Sequence, residues 1–319
     1  MIRQAAGIAV VGAILGFGAP RAQAETIAVF TKSQNSSIFA ALRAGADVAA
    51  KNLGVSIVHY VPSTPDSVAE QNKLVDDAIK DKSDAIVFGP ADFTVAGNAV
   101  AQINAAHIPL INVNERLNGG TVVGYVGTDD VALARETGRY LIQAMGGKGN
   151  VVILDGPDSN LTAQGRARGF RDVIKKFPGV KLLAGKSANY ARAQGNAVTA
   201  AFLSSYPQID GILAANDPMA IGAADALKAT SRKALVVGIN ASREVMALIK
   251  SGAVIGSGDY DTFDQGCLGV EMAVRSLRHE ATPKEVMLKP VVIDKTNNAP
   301  FDQAYDKRAC PTLASVVGH

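Results

Sequence analysis

The chain of 319 residues has no tryptophan, two cysteines, four histidines and an aromatic content of only 5%. Each shortage excludes a class of chemistry. Cys267 and Cys310 do not have the spacing of a metal motif, and His59, His107, His279 and His319 are scattered without ligand spacing, so no metal site is expected. Charged residues make up 19% and are spread along the chain rather than gathered in blocks, which argues against a disordered or coiled-coil chain. There is no basic stripe, and the formal charge is only +3, so nothing favours nucleic acid as a partner. After the N-terminal segment no apolar run is long enough to span a membrane.

Catalytic signatures are lacking too. Gly179 to Ser187 ends in Gly-Lys-Ser like a phosphate loop. Its first glycine stands one position too early, with Val180 where glycine is needed, so it reads as strand and turn. Gly256-Ser257-Gly258 lacks the outer glycines of a nucleophile elbow. Ser33-Gln34-Asn35-Ser36 follows the first apolar run where a dinucleotide fingerprint would stand. No catalytic residue and no cofactor is expected.

The N-terminus carries an export signal. Arg3 supplies a positive start, Ala5 to Ala19 a short apolar stretch, and Ala22-Gln23-Ala24 a small-residue cleavage site. Residues 1–24 are expected to be a signal peptide, with Glu25 opening the mature chain. Its loss removes Arg3 and Arg21 and no acid, which lowers the formal charge from +3 to +1. No cysteine follows the cleavage site, so no lipid anchor is expected, and the bacterial periplasm is the expected compartment. In that oxidising compartment Cys267 and Cys310 could form one disulfide pinning the C-terminal tail; a buried and an exposed free thiol are the alternative.

The two halves of the chain echo each other. Asp47-Val48, Lys51 and Gly54-Val55 recur 125 positions later as Asp172-Val173, Lys176 and Gly179-Val180. Asp84 to Val87 recurs 126 later as Asp210 to Leu213, and Ile111 to Asn114 recurs 126 later as Val237 to Asn240. Three matches in register argue for two similar units. Each unit alternates short apolar runs with segments of helical period, for example Ile38, Leu42, Ala46, Ala49 and Leu53 on one face. That alternation predicts an α/β fold of two doubly wound parallel-sheet lobes with a cleft between them.

In such sheets ligands sit beyond the carboxyl ends of the strands. There the first unit places Ser36, Phe39, Asn114 and Glu115. The second places Gln164, Arg166, Tyr190, Asn216 and Asn240, followed by Asp259, Tyr260 and Asp261. Amides and carboxylates can satisfy hydroxyl groups, and aromatic rings can stack on an apolar sugar face. Some of these residues also have a purely structural reading: Asp217 as the N-cap of the helix beginning at Pro218, Arg166 as one half of an ion pair, Phe39 as core packing. The three asparagines, each directly after an apolar strand, are better explained by a shared pocket.

At this point the chain resembles the periplasmic sugar-binding proteins of ribose/galactose-type ABC importers, close to ribose binders. The resemblance runs through Ile27 to Phe39, Asp84 to Pro90, Ile108 to Ile111, Ala215 to Gly222, Val236 to Asn240 and Phe263 to Gly266. It implies a type I periplasmic binding protein with a three-strand hinge near Thr128, Asp259 to Asp261, and Pro290. The lobes would then be 25–128 with 261–290, and 129–260 with part of the tail, 291–319. It implies stacking on Phe39 and Tyr190, with Ser36, Asn114, Glu115, Gln164, Asn216, Asn240 and Tyr260 as polar contacts. Ribose binders place Asp-Arg at Asn114-Glu115, Arg at Gln164 and Asp at Asn240, although Arg116 and Arg166 lie close enough to substitute. These departures point away from ribose itself. The expected partners are a small neutral sugar or polyol and the membrane permease of an ABC importer, with the protein acting as a monomer. A receptor that presents its ligand to a chemosensory or kinase partner is the alternative. Glu115, Asp259 and Asp261 with no assigned arginine argue against sugar acids and leave an amino sugar as runner-up.

Overall fold

The computed structural model describes residues 24–317 apart from positions 93 and 95. The expected signal peptide therefore lies outside the described residues except for its last position, Ala24. Strands and helices alternate along the first half: β1 (Thr26–Phe30), α1 (Ser37–Leu53), β2 (Ser56–Tyr60), α2 (Val68–Lys80), β3 (Ala85–Phe88), α3 (Gly97–Ala105), β4 (Leu110–Val113) and β5 (Gly124–Thr128). The second half follows with α4 (Asp130–Ala144), β6 (Gly149–Asp155), α5 (Leu161–Ile174), β7 (Val180–Ser187), α6 (Arg192–Ser205), β8 (Gly211–Ala214), α7 (Asp217–Thr230), β9 (Leu235–Ile239), α8 (Arg243–Ser251) and β10 (Gly256–Asp259). Then come α9 (Thr262–Leu277), β11 (Glu285–Leu288), β12 (Val291–Ile293) and, after two short 3-10 turns, α10 (Leu313–Val317).

The strands form two six-stranded sheets. Their orders, β11-β5-β4-β3-β1-β2 and β12-β10-β9-β8-β6-β7, are the same permutation. The sequence repeat is therefore a structural repeat, and among the described residues only the β10–β12 pairing is antiparallel. Every residue of β3, β4 and β8 is buried, because helices cover both faces of each sheet; this is why these strands read as unbroken apolar runs. The chain passes between the lobes from Thr128 into α4, from β10 through Tyr260-Asp261 into α9, and from β11 into β12.

The tail is shared between the lobes. β12 joins the second sheet, but Tyr305, Cys310 and Leu313 pack on the core of the first lobe, and Cys310 is bonded to Cys267 of α9 with their Cα atoms 5.6 Å apart. Residues 291–319 thus do not stay with the second lobe as a block, because the disulfide and the apolar side chain of Leu313 draw the end of the chain back.

Helices α1 and α9 meet backbone to backbone. A Cβ on Gly45 would stand 2.0 Å from the carbonyl oxygen of Phe263, and one on Gly266 2.0 Å from that of Leu42. Neither carbonyl can move without shifting its helix. Gly266→Ala is therefore expected to cost about 1–3 kcal/mol through overpacking. A lower urea midpoint at unchanged m-value would register it; an unchanged midpoint would show that the helices separate freely.

Candidate ligand-binding cleft

The carboxyl ends of both sheets face a common cleft of about 390 Å³. Of the twelve strand-end residues named from the sequence, nine line it, and Asp259 and Asp261 beside the hinge do not. Ser36, Phe39, Asn114 and Glu115 come from the first lobe, and Arg166, Tyr190, Asn216, Asn240 and Tyr260 from the second lobe and the crossing after β10. Gln164 does not. It is exposed on the other side of α5, and its Nε2 donates to the carbonyl of Asp158 at 2.7 Å. Two positions along a helix turn a side chain by about 200°, so Arg166 and Gln164 cannot both face the cleft.

In the first lobe the loop after β1 is held from below by Arg43, which donates to Thr31 Oγ1 at 2.9 Å and to the carbonyls of Ser33 and Gln34 at 3.1 Å. Ser36 has the backbone of an N-cap for α1 but makes no side-chain cap bond, so its hydroxyl stays available to the cleft. Asn112, buried at the end of β4, donates to the carbonyl of Glu115 at 2.9 Å and accepts from the Leu117 N–H at 3.0 Å. This fixes the turn that carries Asn114 and Glu115. Arg116 points elsewhere: it stacks 4.1 Å from the ring centre of Tyr125 and pairs with Glu285.

In the second lobe Arg166 is 2% exposed. Its Nε donates to Asp130 at 2.8 Å, and its Nη1 donates to the Ala215 carbonyl at 2.8 Å and to Asn240 Oδ1 at 3.1 Å. Its guanidinium lies 4.7 Å from the ring centre of Tyr260. Asn216, and not Asp217, is the N-cap of α7; its Oδ1 accepts from the Met219 N–H at 3.0 Å and its Nδ2 donates to the Tyr190 carbonyl at 3.0 Å. Asp217 is fully buried, accepting from the Ser242 N–H at 2.7 Å and the Ser257 hydroxyl at 2.5 Å, and burial pushes its carboxyl up to about 7 against those bonds. Asn216 and Asn240 are thus partly spent on structure. Asn114 Nδ2 and the Tyr190 hydroxyl, by contrast, are buried and have no hydrogen-bond partner among the described residues.

The backbone around the cleft is strained toward it. Asp66, Asn114, Asn189, Tyr190 and Asn240, all cleft residues, have positive φ. For a tyrosine this left-handed backbone costs on the order of 1–2 kcal/mol, and such cost persists where the surroundings impose a side-chain direction.

The charge balance differs from the sequence expectation. Glu115 is not without a cation: Lys32, which follows β1 and was not singled out, pairs with it at 3.2 Å and with Asp66 at 3.6 Å. Strand-end position marks Lys32 as readily as Ser36, and Asp130, the partner of Arg166, likewise stands two residues past the end of β5. Burial pushes the Asp130 carboxyl up to about 6 against the pull of Arg166. Asp259 lines a separate small crevice beside the hinge together with Arg308. Across the cleft, Asn160 caps α5 with its Oδ1 and donates from Nδ2 to Glu115 at 3.5 Å, a contact from one lobe to the other.

Known proteins are similar over most of the chain. The D-apiose import binding protein of Paraburkholderia graminis is 31% identical over 283 residues, 88% of this chain and 90% of that protein. The ribose import binding protein of Haemophilus influenzae is 29% identical over 273 residues, 85% of this chain and 92% of that protein. The crystal structure of an ABC transporter periplasmic solute-binding protein from Actinobacillus succinogenes with bound D-allose matches with a TM-score of 0.81 at 30% identity, covering 86% of this chain and 98% of that one. Residues 27–281 match the periplasmic binding protein domain, and the chain belongs to this family of solute-binding proteins.

Proposed function

We propose that this protein, exported to the periplasm by its N-terminal signal, captures a small neutral sugar or polyol between its lobes and delivers it to the membrane permease of an ABC importer. One observation carries the ligand class: each cation of the cleft already has a carboxylate, Lys32 with Glu115 and Arg166 with Asp130, while Asn114 Nδ2 and the Tyr190 hydroxyl wait unpartnered. An anionic ligand would have to break one of these pairs and leave a buried carboxylate behind. A neutral polyhydroxylated ligand needs no such exchange. Its hydroxyls can accept from Asn114 and either give to or accept from Tyr190, with the rings of Phe39 and Tyr190 offering apolar faces. The relatives named for D-apiose and ribose import, and the neighbour holding D-allose, support the same class.

A thermal-shift panel of pentoses, hexoses, polyols, amino sugars and sugar acids tests this. A neutral ligand at a hundred times its dissociation constant is expected to stabilise by about 2.7 kcal/mol. Shifts from sugar acids alone would overturn the charge argument, and shifts from amino sugars alone would mean that the ligand replaces Lys32 beside Glu115. Tyr190→Phe removes one hydroxyl that has no hydrogen-bond partner among the described residues. It is expected to weaken the active ligand about tenfold, the worth of one buried hydrogen bond, with the melting temperature of the free protein unchanged. Native affinity in this variant would place the ligand away from Tyr190.

A further inference from the structure

Besides the three crossings of the hinge, the chain makes a fourth with its tail. Phe301 packs beside the core of the second lobe, and Asp302 is paired with Lys250 of α8. Three residues on, Tyr305 packs on the core of the first lobe and stacks on Phe263 of α9, ring centres 6.1 Å apart. Arg308 then inserts its guanidinium between two rings, 4.3 Å from the centre of Phe263 and 4.6 Å from that of Phe301, and pairs with Asp264 at 3.9 Å. Beyond it Cys310 is bonded to Cys267, and the Leu313 N–H donates to Glu271, so the end of the strap is anchored on α9.

The strap closes a crevice that adjoins the ligand cleft. Ser37 and Ile38 of α1 line both spaces from the first lobe, and Asn240 lines both from the second. The crevice is narrow, with about 10 Å³ of free space. Rotating the lobes apart separates α1 from the segment after β9 and pulls Phe301 away from Phe263. The link from Asp302 to Tyr305 is too short to absorb much of that movement, since three residues span at most about 10 Å. Arg308 must leave one of its rings for the cleft to open.

We propose that the C-terminal tail is a disulfide-pinned strap that holds the two lobes together on one flank of the hinge, so that opening of the ligand-free protein depends on the Cys267–Cys310 bond. With the bond formed, the strap restrains opening; with the bond reduced, its first-lobe end is held only by non-covalent contacts and can detach. Ordering of this kind shifts the population of open and closed forms without touching the ligand site.

The test needs no ligand, so it stands apart from the sugar reading. Small-angle scattering of the free protein compares the parent, the parent under reductant, Phe301→Ala, and the double variant Cys267→Ala/Cys310→Ala, each with a melting curve. Phe301→Ala keeps the disulfide and the Arg308–Asp264 pair and removes only the second-lobe ring. It is expected to shift the closed-to-open ratio about fivefold toward open, the worth of one partly desolvated cation–π contact, and so to raise the radius of gyration. The reduced parent and the double variant are expected to open at least as far. If the double variant fails to fold, Phe301→Ala decides the matter. Folded variants with the radius of gyration of the parent would overturn the strap and leave the tail a stabiliser of the first lobe alone.

Discussion

Replacing Arg166 by alanine is expected to lower the stability of the ligand-free protein by about 3–5 kcal/mol, the usual cost of removing one partner from a buried ion pair. The guanidinium is the centre of the second-lobe wall: Asp130, the Ala215 carbonyl and Asn240 all depend on it. Without it Asp130 is left half-buried with no cation beside it. Its carboxyl, already pushed up to about 6 by burial, loses the one cation that pulls it down and goes higher. A carboxyl raised in the folded state contributes its full share below the unfolded-state value of about 4, and that share is lost as pH rises through the folded value. In the parent the loss is complete near pH 6; in the variant it continues above. The penalty of the substitution should therefore be larger at pH 8 than at pH 5. Urea unfolding at the two pH values reads this directly, and an equal penalty at both would show that Asp130 is not what the arginine supports. Adding Asp130→Asn to the variant should recover part of the loss. Ligand affinity should remain low in both, because Asn240 and the ring of Tyr260 stay without their anchor.

The second large effect is expected at the disulfide. The bond closes a sequence separation of 43 residues. In the chain-entropy treatment a loop of this size takes about 4 kcal/mol of stability from the unfolded state's loss of freedom. Cys267→Ala/Cys310→Ala should lower the denaturant midpoint accordingly, and reductant should do the same to the parent but not to the double variant. The effect lives on the unfolded chain and on the anchoring of Leu313 against α9, so it is separate from the lobe opening tested by scattering. A parent whose midpoint is indifferent to reductant would show that the bond is not formed in the protein as isolated.

How far residue order alone reaches is seen in the pair Asn114 and Asn240. They stand 126 positions apart in matching segments of the repeat. In the structure they end β4 and β9, the third strands of two sheets with the same order. Each N–H donates to the neighbouring strand, to Val126 at 3.2 Å and to Gly258 at 2.7 Å, and each has positive φ. Strand, repeat and strand end are local properties: they follow from runs of apolar residues, from period and from where the run stops. The two-lobed fold could be read in that way, and so could nine of the residues that line the cleft.

The Cys267–Cys310 pairing was open to reading because the chain has two cysteines, but pairings between distant charges could not be read. Lys32 and Glu115 are 83 positions apart, and Arg166 and Asp130 are 36. Nothing in their own segments shows that each charge is already answered, and so the cleft looked more acidic in the sequence than it is. The tail is the same case, since its apolar residues can be recognised as buried but not assigned to a lobe. On α5, helical period makes Gln164 and Arg166 face different ways without saying which way is inward. That was decided by packing: Gly165 and Gly169 bring α5 close to the start of α4, where a Cβ on Gly169 would stand 2.4 Å from the Val131 carbonyl oxygen. Residue order sets which side chains share a face of an element, but only the contacts between elements choose which face turns to the ligand and which charges meet there.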